Sequence, residues 1–256
     1  MKSLSNKVAI VTGASSGIGR ATALLMASEG ARLVVSARRG EELDALVGEI
    51  ERLGGQARAV AGDIGDEELA RRLVDVAVTE FGGLDIAFNN AGMVGKTGAI
   101  GDIGLDDWHE VLDTNLTSAF LGAKHQVPAM IERGGGSLIF TSSFVGHTAG
   151  MPEMSAYAAS KAGQIGLVKA LATELGSKGI RVNAVLPGGT DTPASITNAP
   201  GATPQVLAFV EGLHALKRMA TPEEIAQAVL FLASSASSFV TGTAFQVDGG
   251  VSINRT

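Results

Sequence analysis

The chain has 256 residues, 45% of them hydrophobic, and a formal net charge of −6. The apolar content suffices for a sizeable core, and the negative balance argues against nucleic acid or an anionic membrane surface as partners. With no cysteine anywhere, disulfides, zinc–thiolate sites and thiol catalysis are excluded.

The opening segment, Met1 to Lys7, has no apolar signal core and leads at once into a strand-like run, which points to the cytoplasm. No uncharged apolar stretch is long enough to span a membrane. Val8-Ala-Ile-Val11 is a short apolar run, as expected of a buried parallel strand. It enters Thr12-Gly-Ala-Ser-Ser-Gly-Ile-Gly19, and a helix is predicted over 17–28, closed by Gly30. Glycines between a strand and a helix allow a tight turn and let backbone N–H groups approach a phosphate, and the helix N-terminus adds positive partial charge. The spacing is G-x-x-x-G-x-G and not the G-x-G-x-x-G fingerprint.

Further strands are predicted at 32–36, 58–61, 84–89, 137–141, 181–186 and 244–247. Helices are predicted at 41–53, 67–81, 107–133, 156–176 and 222–234. The last helix carries a full start signal: Thr221 as cap, Pro222 in the first turn and Glu224 closing a capping box. Alternation of this kind predicts an α/β fold, a doubly wound and mostly parallel seven-stranded sheet with helices on both faces. A barrel of eight βα units would need more strands than the pattern supplies. No Pro- or Ser-rich linker and no repeat divides the chain, so it reads as one domain over 1–256. The stretch 190–220 follows neither period and reads as a mobile lid over a substrate site.

Within the helix at 156–176, Tyr157 and Lys161 are four residues apart and share a face. An ammonium one turn from a phenol favours the phenolate, so the phenol pKa is expected to fall from about 10 toward working pH. Such a phenol can pass a proton to or from a substrate oxygen.

The ordered set Thr12-Gly-x-x-x-Gly-x-Gly19, Asn89-Asn-Ala-Gly92, Asn115, Ser143, Tyr157-x-x-x-Lys161, Pro187-Gly188 with Thr192, and Val247-Asp-Gly-Gly250 resembles the short-chain dehydrogenase/reductase family across nearly the whole chain. The resemblance implies an oxidoreductase that moves a hydride between a nicotinamide cofactor and a carbonyl or alcohol. It implies Tyr157 as acid and base, Ser143 holding the substrate oxygen, Lys161 binding nicotinamide ribose and lowering the tyrosine pKa, and Asn115 anchoring a water. Ser142 is the rival serine, and the interval from Ser143 to Tyr157 is one residue longer than in many relatives. Gly13, Ser15, Ser16, Gly17, Ile18 and Gly19 would surround the phosphates. Asn89, Ala91 and Gly92 would line the cofactor. Pro187, Gly188, Thr190 and Thr192 would meet the carboxamide and phosphate. Asp63 and Ile64 match the adenine contact, although Asp63 by itself is a plain loop residue.

Cofactor choice falls to the end of the second strand. Where NAD-using relatives carry an aspartate this chain has Ala37, followed by Arg38 and Arg39. A guanidinium can grip a 2′-phosphate with two hydrogen bonds. NADP(H) is therefore expected over NAD(H). The four histidines, His109, His125, His147 and His214, show no metal-ligand spacing, so no metal is expected. His147, in the loop after Ser143, is a candidate substrate contact. Met93, Val94, Phe144, Met151 and Met154 suggest an apolar, adaptable pocket for a small carbonyl or alcohol. Reduction of a 3-oxoacyl group on an acidic carrier protein ranks lower, because the chain is acidic with scattered basic residues. A non-catalytic NADP-binding regulator would ordinarily lack one of the serine, tyrosine and lysine. Relatives are usually tetramers. Ala158, Ala159, Ala162, Gly163 and Gly166, together with the apolar stretch 240–253, are the expected contacts.

Overall fold

The computed structural model describes residues 2–255. Seven parallel strands form one sheet in the order β3-β2-β1-β4-β5-β6-β7. They are β1 (Val8–Thr12), β2 (Arg32–Ala37), β3 (Gln56–Ala61), β4 (Ile86–Asn89), β5 (Gly136–Thr141), β6 (Ile180–Pro187) and β7 (Ala244–Val247). The helices are α1 (Gly17–Ser28), α2 (Gly40–Arg52), α3 (Glu67–Phe81), α4 (Leu105–Leu112), α5 (Ser118–Arg133), α6 (Ser155–Leu175), α7 (Pro204–Leu213) and α8 (Pro222–Ala233). This is the doubly wound sheet that the alternation predicts.

Period-two side-chain direction divides each strand between two cores. Val8 and Ile10 of β1 pack with Leu73 of α3, Met130 of α5 and Val168 of α6. Ala9 and Val11 pack on the opposite face with Met26 of α1, Leu46 of α2 and Val229 of α8. Strands covered on both faces read as continuous apolar runs, which is why β1 is apolar throughout. The strand order reverses between β1 and β4, so the chain leaves these neighbours in opposite directions and opens a crevice at their carboxyl ends.

Three segments depart from the sequence expectation. The helix predicted at 107–133 is α4, a π-helical turn over Asp113–Thr117, and α5 in direct succession. The π turn inserts one residue into the helical repeat and carries Asn115. The second departure is α7, which lies inside the stretch read as a lid. The ends of that stretch are joined: Thr190 and Ala220 form a parallel bridge, Asp191 N–H donates to the Ala220 carbonyl, and Ala220 N–H donates to the Gly189 carbonyl. Third, Gly163 is not on an outer helix face. A Cβ there would come 2.7 Å from Leu116, so it lets α6 lie close to the π turn of its own chain, while Ala162 and Gly166 are exposed. No helix among the described residues is long and apolar enough to cross a membrane.

Candidate active site

A cleft of about 800 Å³ runs along the carboxyl edge of the sheet. Its floor is the end of β1 and β4. Thr12 Oγ1 accepts from the N–H groups of Asn90 and Ala91, at 2.9 and 3.1 Å. Asn90 Nδ2 donates to the Thr12 carbonyl at 3.1 Å, and Thr141 Oγ1 donates to Asn90 Oδ1 at 3.0 Å. One asparagine thus fastens the ends of β1, β4 and β5 where the strand order reverses.

The glycine turn above this floor has the space and the donors for a phosphate. Gly13 has φ +65°, and a Cβ there would lie 2.9 Å from Asn90 Nδ2. Gly17 has φ +53°, and a Cβ there would lie 3.0 Å from the Thr192 methyl. Ser16 is the N-cap of α1, yet its side chain makes no capping bond, and the first turn has no acidic residue. The first N–H groups of α1 are therefore uncapped by side chains at a positively polarised helix end beside the cleft. A nicotinamide dinucleotide fits this cradle. Gly13, Ser15, Ser16, Gly17 and Ile18 line the cleft, as do Arg38, Arg39, Asp63 and Ile64 farther along it. Arg39 is engaged: it donates to Ser15 Oγ at 3.0 Å and pairs with Glu42 at 3.4 Å. Arg38 is exposed at the cleft wall. The opposite wall includes Ala91, Gly92, Pro187, Gly188, Thr190 and Thr192.

At the reacting end, Tyr157 and Lys161 stand on one face of α6, and Ser143 follows β5. Tyr157 and Ser143 line the cleft together, and the Ser143 hydroxyl favours the charged form of the phenol. Ser142 faces elsewhere, its hydroxyl donating to the Lys161 carbonyl at 2.9 Å. Lys161 is buried; its Nζ donates to the Thr141 carbonyl at 2.8 Å and lies 5.7 Å from the centre of the Tyr157 ring. In the protein alone, burial runs against the expected fall of the phenol pKa: it pushes Tyr157 above its ordinary value, with a smaller opposing pull from the Ser143 hydroxyl. The same burial brings Lys161 down to about 7, so its charge is weakened where it was expected to act on the phenol.

Asn115 is fully buried on the π turn and holds the neighbouring elements together. Its Oδ1 accepts from Met93 N–H at 2.8 Å, and its Nδ2 donates to the Met93 carbonyl and to Ser160 Oγ, both at 2.9 Å. Gln164 Nε2 donates to its main-chain carbonyl at 2.7 Å. Among the described residues no group of three or more His, Asp or Glu comes together as a metal site.

A family model described as enoyl-(acyl carrier protein) reductase matches residues 13–252. Cyclohexanol dehydrogenase of Acinetobacter sp. (strain SE19) is 41% identical over 248 residues, covering 95% of this chain and 94% of that protein. The chain belongs to the short-chain dehydrogenase/reductase family. The 3-oxoacyl-(acyl-carrier-protein) reductase FabG of Thermotoga maritima is 40% identical over 250 residues, 98% of this chain and 99% of that one. Among solved structures, carveol dehydrogenase from Mycobacterium avium in complex with NAD superposes with a TM-score of 0.94 at 32% identity, covering 99% of this chain and 100% of that chain. This short-chain dehydrogenase/reductase is thus an oxidoreductase of a family that binds a nicotinamide cofactor.

Several residues of the family pattern stand away from its cleft. Asn89 turns from it and exchanges two hydrogen bonds with Gln126 of α5, at 2.9 and 3.0 Å, while its neighbour Asn90 faces the cleft. Strand alternation sends adjacent residues to opposite sides, and the register puts Asn90 on the open one. Gly19 is a packing residue: a Cβ there would lie 2.2 Å from the Gly13 carbonyl oxygen. His147 is exposed and off the cleft lining, whereas His214 lines it. Met93, Val94, Phe144, Met151 and Met154 all line it.

Proposed function

We propose that this enzyme transfers a hydride between NADP(H) and a small, neutral carbonyl or secondary-alcohol substrate, with Tyr157 as general acid and base. The observation that carries this reading is the assembly of Ser143, Tyr157 and Lys161 in one cleft with the glycine turn of a dinucleotide cradle. Hydride arriving at a carbonyl carbon leaves an alkoxide, which needs a proton and a fixed hydrogen bond. A phenol held above its ordinary pKa is protonated at neutral pH and can donate that proton, while the Ser143 hydroxyl donates to the same oxygen. In the reverse direction the phenolate accepts the proton of the alcohol. Lys161, on the same helix face, supports the ribose side of the cleft, and Asn115 keeps the Met93 segment and α6 in register. When bound, the nicotinamide would supply or accept the hydride.

NADP(H) over NAD(H) follows from Ala37 in place of a carboxylate and from Arg38 at the cleft wall, with Arg39 already occupied by Ser15 and Glu42. The substrate end is lined by methionines, Phe144, Val210 and Leu213, which suits a ketone or alcohol of the size handled by the cyclohexanol relative. The similarity to FabG keeps a second reading open, reduction of 3-oxoacyl thioesters. The acidic balance of the chain weighs against an acidic carrier as partner. A regulator without turnover would have no use for the assembled Ser143, Tyr157 and Lys161. We further propose that residues 190–220 act as a lid and that the protein assembles as a tetramer.

The test is a turnover screen of cyclic and open-chain ketones, diketones, secondary alcohols and short 3-oxoacyl thioesters, with NADPH and NADH in parallel and Tyr157→Phe beside the wild type. Loss of the acid should lower kcat by about 10²–10⁴. Equal turnover by Tyr157→Phe would refute the assigned chemistry. Equal kcat/KM for the two cofactors would refute the NADP preference.

A further inference from the structure

His214 follows directly after α7 and is 2% exposed. The hydride chemistry does not use it. Its Nε2 accepts from the Gly189 N–H at 2.9 Å. A backbone amide can only donate, so Nε2 carries no proton. The ring proton is then on Nδ1, which donates to the Val210 carbonyl of α7 at 2.8 Å. Space for the ring is built in. A Cβ on Gly188 would lie 2.8 Å from Nε2, one on Gly189 2.8 Å from Cε1, and one on Gly249 3.2 Å from Cδ2. Glycines following two different strands thus leave room for one imidazole, whose wall is part of the cleft.

The geometry points to His214 as a positioning residue that holds the loop after β6 and the helix α7 in one fixed relation, each through its own ring nitrogen. Gly189 sits between Gly188 and Thr190. The inference rests on the proposed reading of that loop as a cofactor contact and of 190–220 as the substrate lid. Nε2 then serves cofactor binding and Nδ1 serves the substrate side. Because both partners are main-chain groups, the ring can fix position without taking part in proton transfer to the substrate.

Two variants separate the nitrogens. An asparagine amide reaches the place of Nδ1, and a glutamine amide the place of Nε2. His214→Asn therefore retains the bond to Val210 and loses the acceptor for Gly189, and His214→Gln does the reverse. The cofactor Kd, measured by calorimetry, should rise about tenfold in His214→Asn and stay within about twofold in His214→Gln. The substrate KM should show the opposite order. A purely structural histidine would lower the melting temperature of both variants and shift both constants alike; that result, or no shift in either, overturns the proposal. If wild type turned nothing over, the functional reading would fall, while the two cofactor Kd values would still decide this one. If neither variant folds, ¹⁵N-histidine spectra of the wild type decide. The buried ring should be the Nδ1–H tautomer, with its Nε2 resonance moving on saturation with cofactor. An Nε2–H tautomer or an unmoved resonance would overturn the proposal.

Discussion

Burial sets opposite demands on the two residues that share a face of α6. The phenol of Tyr157 is held in its protonated form, and the amine of Lys161 is pushed toward its neutral form. Both shifts come from removing charge from water, so in the protein alone desolvation outweighs the pull of an ammonium on the phenol. Stability should record the lysine shift. Its folded-state pKa is about 7, against 10.5 for the free group. Between those values the unfolded chain binds the extra proton, so stability rises with pH across that window and the contribution is flat below it. Tyr157 acts in the opposite sense only above its unfolded value of 10.0, because there the unfolded chain loses the phenolic proton first. Urea midpoints at about pH 7 and about pH 9 should therefore increase in the wild type, and Lys161→Met should remove most of that increase. Equal pH slopes in the two proteins would refute the assignment. Residue identities at this site were legible in the sequence because motif order carried them, but orientation was not. Nothing in Asn89-Asn90 says which amide faces the cleft. His214 leaves no trace either, because both groups that fix it belong to the main chain.

Elements with strong periodicity were legible nearly to their ends, and β1 and α8 illustrate why. The apolar run of β1 reflects burial on both faces, and α8 begins at the capping box spelled by Thr221 and Glu224. In that box Thr221 Oγ1 accepts from Glu224 N–H at 3.3 Å, and Glu224 Oε2 accepts from Thr221 N–H at 2.9 Å. Arg218 forms a two-pronged pair with Glu224, and with the Thr221 N–H it holds that carboxylate down to about 2. Thr221→Ala should cost about 1 kcal/mol of stability, read from urea unfolding, with cofactor affinity unchanged. A change below the error of the measurement would mean that the Arg218 pair alone holds the helix start. The π turn and α7 were not legible. One inserted residue leaves no mark on a helical pattern long enough to absorb it. In α7 the exposed Leu207 and Phe209 blur the contrast between a buried and a solvated face.

At the scale of the molecule, several large apolar side chains remain on the surface. Phe239 is fully exposed between α8 and β7, Phe120 is exposed on α5, and the small residues Ala162 and Gly166 are exposed on α6. Exposed aromatics and small-residue helix faces are surfaces that association would cover. Light scattering should give a particle of four chains, and Phe239→Asp should reduce its mass. A monomeric wild type would refute the assembly. The two sheet faces themselves were predictable, since each strand supplies alternate residues to separate cores, but contacts beyond the chain have no such period to read.

The parallel bridge between Thr190 and Ala220 has a wider consequence. The twenty-nine-residue excursion between them leaves and rejoins the scaffold at almost one point, so the entropic cost of closing it depends only weakly on its length. Such a segment is an exchangeable cassette. Related enzymes could trade it, and a chimera whose foreign insert retains counterparts of Thr192 and His214 would inherit a new substrate range while keeping the sheet, the cofactor cradle and the proton donor of its host.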